Sequence, residues 1–140
     1  MTPLAATELV LAAAKSTLDS LGVPFCVDGE RFEPAADTKW ARVTVRDMPP
    51  RGSSHGPVGQ RTDRERGLVT VQCFAPIFPD DGQAEAVALA QQMRAVFQGV
   101  DLGTAADTVT FMGARVQRVG VDGQWYQANA IGDFEFNETF

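Results

Sequence analysis

The string RVQRVGVDGQWYQANAIGDFEF, residues 115–136, decides the fold class. In its second half Tyr126, Ala128, Ala130, Gly132, Phe134 and Phe136 fall on one side of an extended chain, opposed by Gln127, Asn129, Asp133 and Glu135. Alternation sustained over this length marks a strand with one buried face. Asp122-Gly123 just ahead of it is a two-residue hairpin signal, because both residues tolerate the positive φ that a tight primed turn demands. Trp125 to Phe136 is therefore predicted as the longest strand, with Arg115 to Val121 as its antiparallel neighbour and Thr108 to Met112 as a further strand.

The same alternation recurs upstream. Ala41, Val43 and Val45 share one face of Trp40 to Arg46, with Trp40, Arg42, Thr44 and Arg46 on the other, and Leu68 to Phe74 repeats the pattern. Two stretches change to helical spacing. Thr2-Pro3 supplies a cap and a first-turn proline for a helix over 3–21, with Leu4, Leu11, Ala14, Leu18 and Leu21 near one stripe, and Gly22 and Pro24 end it. Asp80-x-x-Gln83 has capping-box spacing for a second helix over 83–98, in which Ala86, Leu89, Ala90, Met93 and Phe97 recur and Gly99 follows as a stop. Between the first helix and Trp40, Asp28-Gly29 is expected to join Val23–Val27 to Glu30-Arg31-Phe32 as a small hairpin. Helix, strands, helix, strands with hairpin connections give an α+β fold: an antiparallel sheet with two helices packed on one face.

A chain of 140 residues, 44% hydrophobic and 21% charged, suits one domain, so 1–140 is read as a single unit. Cys26 and Cys73 are too few for a disulfide scaffold and read as small buried hydrophobes. Net charge −6 opposes general attraction to nucleic acid or anionic membrane. The longest apolar run, Leu9 to Ala14, is far short of the roughly 20 residues of a membrane span, and Glu8 spoils a signal-peptide reading, so a soluble cytosolic protein is expected. One His, two Cys and no CxxC, HExxH or GxxxxGK[ST] string leave no metal site and no cofactor site to nominate.

Catalytic candidates are weak. Ser53, Ser54 and His55 supply a hydroxyl and a base, but neighbours on a loop lack the packed third group that holds a reactive geometry. Asp80 and Asp81 read as helix-capping carboxylates rather than an acid–base pair. Gly56-Pro57-Val58-Gly59 has no Lys or Ser/Thr for a phosphate, and Asn137-Glu138-Thr139 is an accidental sequon without secretion.

The segment Met48 to Arg66 is more informative. Its 19 residues are rich in Pro, Gly and Ser and short of anything that packs, so a long flexible loop between two strands, a mobile arm at about 47–66, is expected. Arg46, Arg51, Arg61, Arg64 and Arg66 outnumber Asp47, Asp63 and Glu65, which leaves this stretch at +2 and the rest of the chain at −8. Arginine is chosen over lysine ten to two across the chain, and its planar fork suits carboxylate partners at an interface. These five arginines, with Trp40 and Trp125 on the more polar faces of their strands, are the candidate residues for contact with a partner or a neighbouring subunit. As a stacking platform for single-stranded nucleic acid, Trp125, Tyr126, Phe134 and Phe136 lack basic companions.

The layout Trp40-x-Arg42-Val43, a long Arg/Gly/Pro loop, Arg66-Gly67-Leu68-Val69-x-Val71-x-Cys73-Phe74, a turn into the helix ending Met93-x-x-Val96-Phe97, and the closing Trp125-Tyr126 … Asp133-Phe134-Glu135-Phe136 resembles the phage tail terminator proteins, also called tail-completion or minor tail proteins. The resemblance spans nearly the whole chain as diffuse apolar positions, without a catalytic string. It implies a structural virion protein, not an enzyme. Such a protein forms a hexameric ring at the head-proximal end of a long tail, stops growth of the tube, and offers the surface that docks the filled head. Its implied partners are further copies of itself, the tail tube protein and a head-completion or neck protein, with DNA passing through the ring and assembly in the host cytoplasm. A head–tail connector component and a small hydrolase are the rival readings.

Overall fold

A computed structural model of the chain describes residues 1–53, 59, 61–78 and 81–139. In chain order they form α1 (Pro3–Leu21), β1 (Phe25–Val27), β2 (Trp40–Ser53), β3 (Thr62–Pro76), α2 (Gly82–Phe97), β4 (Asp101–Gly103), β5 (Thr108–Asp122) and β6 (Trp125–Thr139). The strands make one sheet in the order β1-β2-β3-β6-β5-β4. β3 and β6 run antiparallel at its centre, paired from Thr62 opposite Thr139 to Pro76 opposite Trp125. Both helices lie on one face, α2 across β6, β3 and β5, and α1 beside α2 toward β2. The expected α+β class is what the chain adopts.

Local chemistry accounts for the helix ends. Thr2 Oγ1 accepts from the Ala5 amide at 3.2 Å, and Gly22 at φ 69° ends α1 with its amide turned back to Asp19 and that of Val23 to Leu18. Asp81 caps α2 by accepting from the Ala84 amide at 3.3 Å. The cap is thus one residue later than the Asp80-x-x-Gln83 spacing implied, and Asp80 lies outside the described residues.

The core fills the space between the helices and the alternating inner residues of the sheet. Ala86, Leu89, Ala90, Met93 and Phe97 of α2 are all buried, as their spacing predicted. In α1 the buried row is Ala6, Val10, Ala14 and Leu18, while Leu4 is 68% and Leu21 38% exposed. The i, i+4 row carrying two alanines wins over the leucine-rich stripe because small side chains let α1 approach α2 and the sheet. Small residues do the same on β6. Ala128 and Ala130 are fully buried, and a Cβ at Gly132 would stand 3.1 Å from Phe97 Cβ and 3.2 Å from the Phe111 ring. Phe134 lies directly opposite Gly67 in the register, its ring occupying the space of the missing Gly67 side chain.

Four local expectations are corrected. Asp28-Gly29 turns the chain, with Glu30 N donating to Val27 O at 3.0 Å, yet 30–32 form no strand. Instead β1 pairs parallel with β2, Phe25 opposite Ala41, the one departure from an antiparallel sheet. Parallel neighbours need a long crossover. Residues 28–39 supply it, and Phe32 packs on Trp40 at 5.4 Å instead of joining a hairpin. Next, Thr108–Met112 and Arg115–Val121 are one strand, β5, carrying register shifts at Phe111/Gly113 and Arg118/Gly120 that absorb the apparent break. The three-residue β4 was not anticipated. Finally, strands persist at both flanks of the segment expected to lack structure, with Met48 opposite Arg66, Gly52 opposite Arg64 and Ser53 opposite Asp63, and a shift spanning Pro49-Pro50-Arg51. That pairing is anchored by β6 on the far side of β3, which the composition of the segment alone does not reveal.

Leu18→Asp and Leu89→Asp each place an unpaired charge at a fully or nearly fully buried site and are expected to abolish the cooperative thermal transition, whereas Leu4→Asp should leave it in place. Gly67→Val, which drives a side chain into the Phe134 ring, should lower stability by about 1–3 kcal/mol in urea denaturation.

Candidate interaction surface

Among the described residues no helix or strand covers the sheet face away from the helices, and strand alternation decides what it shows. At one end Trp40 of β2 stacks on Phe74 of β3 at 4.2 Å and 12°, with Trp125 edge-on at 6.0 Å and Phe32 of the crossover above. The Arg42 guanidinium lies over the Trp40 ring at 5.5 Å. Trp40 is only 6% exposed, so its indole is spent on packing within the chain, because the 28–39 crossover covers that face; Trp125 is half-buried and keeps an open edge. The Trp40 Nε1 hydrogen is buried without a hydrogen-bond partner among the described residues. Farther along the same face Gln127 Nε2 donates to Asn129 Oδ1 at 3.0 Å, which satisfies one polar atom of each of these buried amides.

The other end of the sheet is built from the last residues of β2, the first of β3 and the last of β6. Past Val45, Gly67 and Phe136 the helix-side face has no further core residue. On the open face Arg46, Arg64 and Arg66 come together. Arg64 reaches Glu135 at 3.9 Å, a loose pair with the guanidinium 57% exposed, and Arg46 and Arg66 make no ion pair among the described residues. Arg61 is exposed just ahead of β3, and Arg51 lies on β2, its side chain outside the description. Of the seven candidate contact residues, the structure therefore groups three arginines on one face and separates them from Trp40 and Trp125 at the opposite end.

The helix-side face of this end carries the opposite sign. Alternation puts Asp47, Asp63, Glu65 and Glu138 there, none of which the sequence reading singled out. Loss of solvation, then the charges of Glu138, Asp63 and Asp47, push the Glu65 carboxyl above its ordinary value near 4.5. The signal was present as Asp63-Arg64-Glu65-Arg66, a sign change at every residue, which in a strand sorts cations and anions onto opposite faces. It is silent in a segment taken to be a loop, since a loop has no faces.

No enzymatic constellation assembles among the described residues. Ser54 and His55 lie outside them, Asp81 is occupied as a helix cap, and no group of three His, Cys, Asp or Glu is placed to hold a metal. Cys26 and Cys73 are buried free thiols, and burial pushes Cys73 up to about 12, far from the thiolate needed of a nucleophile. No described helix is long and apolar enough to cross a membrane.

Residues 9–130 match the family model of the phage tail terminator protein. Among 23 matching chains of solved structures, one superposes with a TM-score of 0.66 over 96% of each chain at 15% identity, a likeness of fold. No curated protein matches the chain.

The raised Glu65 carboxyl sets a pH dependence. The folded chain holds this proton more tightly than the unfolded one, so the contribution of Glu65 to stability is present below about pH 4.5 and is lost as pH rises through the folded-state value. Glu65→Gln is expected to raise the neutral-pH melting temperature and to flatten this dependence, as read by melts from mildly acidic to neutral pH.

Proposed function

The chain belongs to the phage tail terminator family, a structural component of the virion tail, and on that premise we propose that it caps the tail tube at its head-proximal end, ends tube polymerisation and presents the surface on which the head is joined. The observation that carries this reading is the extent of the match, which takes in most of α1, all of α2 and the sheet through the middle of β6. The body fits the task in physical terms. A tube grows while its end offers the surface that the next ring recognises; a terminator of tube-like size ends growth by binding that surface and exposing a different one.

In this reading copies of the chain form a ring, six in number by the family resemblance, coaxial with the tube and open to the passage of DNA. Its partners are the tube protein on one rim and a head-completion or neck protein on the other. The protein works without cofactor or turnover, and assembly takes place in the host cytoplasm before the finished tail joins the head. The two-signed sheet end supplies contacts suited to this work: partly exposed guanidiniums and carboxylates give specificity and orientation more than raw affinity.

Tails assembled without the protein should grow to uncontrolled length or remain unjoined to heads, and adding it back should restore both. Purified protein imaged by negative stain should show rings, alone or on tube ends. Joining Met48 to Arg66 through a two-residue Asn-Gly turn should keep the core intact while tails lose length control or head joining, and raising salt should weaken capping by the intact protein. Normal tails of normal length in the absence of the protein would refute the assignment.

A further inference from the structure

The three strands at the Arg46–Arg66 end of the sheet carry cations on one face and anions on the other. Arg46, Arg64 and Arg66 point away from the helices, offset in part by Glu135; Asp47, Asp63, Glu65 and Glu138 point to the helix side, where lost solvation first and the neighbouring carboxylates second raise the Glu65 carboxyl. Among the described residues neither set is neutralised: the outer arginines have one loose pair, and Asp47, Asp63 and Glu138 all bear on Glu65. Of the inner set, Glu138 also lines a concavity of about 660 Å³ beside the start of α1, with Glu8 and with Asp107, whose carboxylate pairs with the Met1 ammonium at 3.4 Å.

We propose, resting on the ring reading above, that neighbouring copies dock through these two faces, Arg46, Arg64 and Arg66 of one copy lying against Asp47, Asp63, Glu65 and Glu138 of the next. The occupant follows from charge. A nucleic acid would meet the basic face, but on a chain of net charge −6 with four carboxylates one sheet thickness behind the arginines. A second copy supplies the complement of each face at once. The symmetry follows as well. The patches sit on opposite sides of one sheet, so a given neighbour covers only one of them, and a twofold dimer would set like charge against like. A head-to-tail contact avoids this, and such contacts close into rings when the rotation allows.

A charge-swap experiment separates this contact from the reading on which it rests. R64E/R66E turns the basic face acidic, and D63R/E65R/E138R turns the acidic face basic; each retains the other face, and circular dichroism and melting establish folding. By sedimentation velocity and by binding to tube ends, each variant alone should self-associate at least about tenfold more weakly than the parent chain. An equimolar mixture should recover association, since every junction then pairs opposite charges, and so should the chain carrying all five changes. Wild-type association by both single-face variants would overturn the proposal and leave the terminator assignment standing. So would loss without recovery in the mixture, or loss of binding to tubes or DNA with self-association intact. A parent chain that stays monomeric in solution and on tube ends would overturn both this contact and the ring, whereas tails that are normal without the protein refute the assignment alone.

Discussion

Close contact between α2 and the middle of β6 is the constraint on which the rest of the structure depends. Phe97 and Met93 share one buried core with Ala128 and Ala130, and a Cβ at Gly132 would stand 3.1 Å from Phe97, so three consecutive inward positions of β6 carry almost no side chain. Bulk on either partner alone fills the layer without cavities. Phe111 and Phe134 then close the flank of Gly132, and Gly67 yields its space to Phe134. Large and small residues alternate across neighbouring strands, so the register of β3, β6 and β5 is fixed by shape as much as by hydrogen bonds. A slip of one residue would bring Asp133 and Glu135 under the helix.

The same period-two geometry that buries apolar side chains under the helices continues past them and there sorts charge. Up to Gly67 and Phe136 the inward face is apolar; one step later it is acidic, with arginine behind it. A single structural rule thus produces a core at one end of each strand and a two-signed surface at the other. The function proposed for the chain uses the second product, while the first keeps the three strands rigid enough for the charges to hold their places.

Both helices, the class of fold and the inward positions of α2 and β6 were legible in the sequence because each rests on a long, clean period. What was not legible depended on partners far away in the chain. The stretch Met48–Ser53 is strand because β3 lies beside it, and β3 holds its shape there because β6 extends equally far. Local composition, heavy in proline and glycine, argues the reverse. Phe32 left its expected hairpin for the Trp40 ring, and Leu4 lost its place in the α1 stripe to Ala6 and Val10, both outcomes of packing that spacing alone does not rank. Three of the five candidate arginines lie on one face, and the acids interleaved with them gained meaning only once the segment had faces.

Beyond the three residues of β1, the outer edge of β2 has no strand beside it among the described residues, and the chain places Pro49 and Pro50 along that edge. Neither residue has an amide hydrogen, so this margin offers an incomplete template for another strand. At the other margin β4 shields only Thr108 to Thr110, and the rest of β5 is kinked by two bulges. Open-ended sheet extension from molecule to molecule, the route by which exposed strands turn soluble proteins into fibrils, is obstructed at both sides. A chain proposed to bring a polymer to a halt is thereby itself poorly suited to start one.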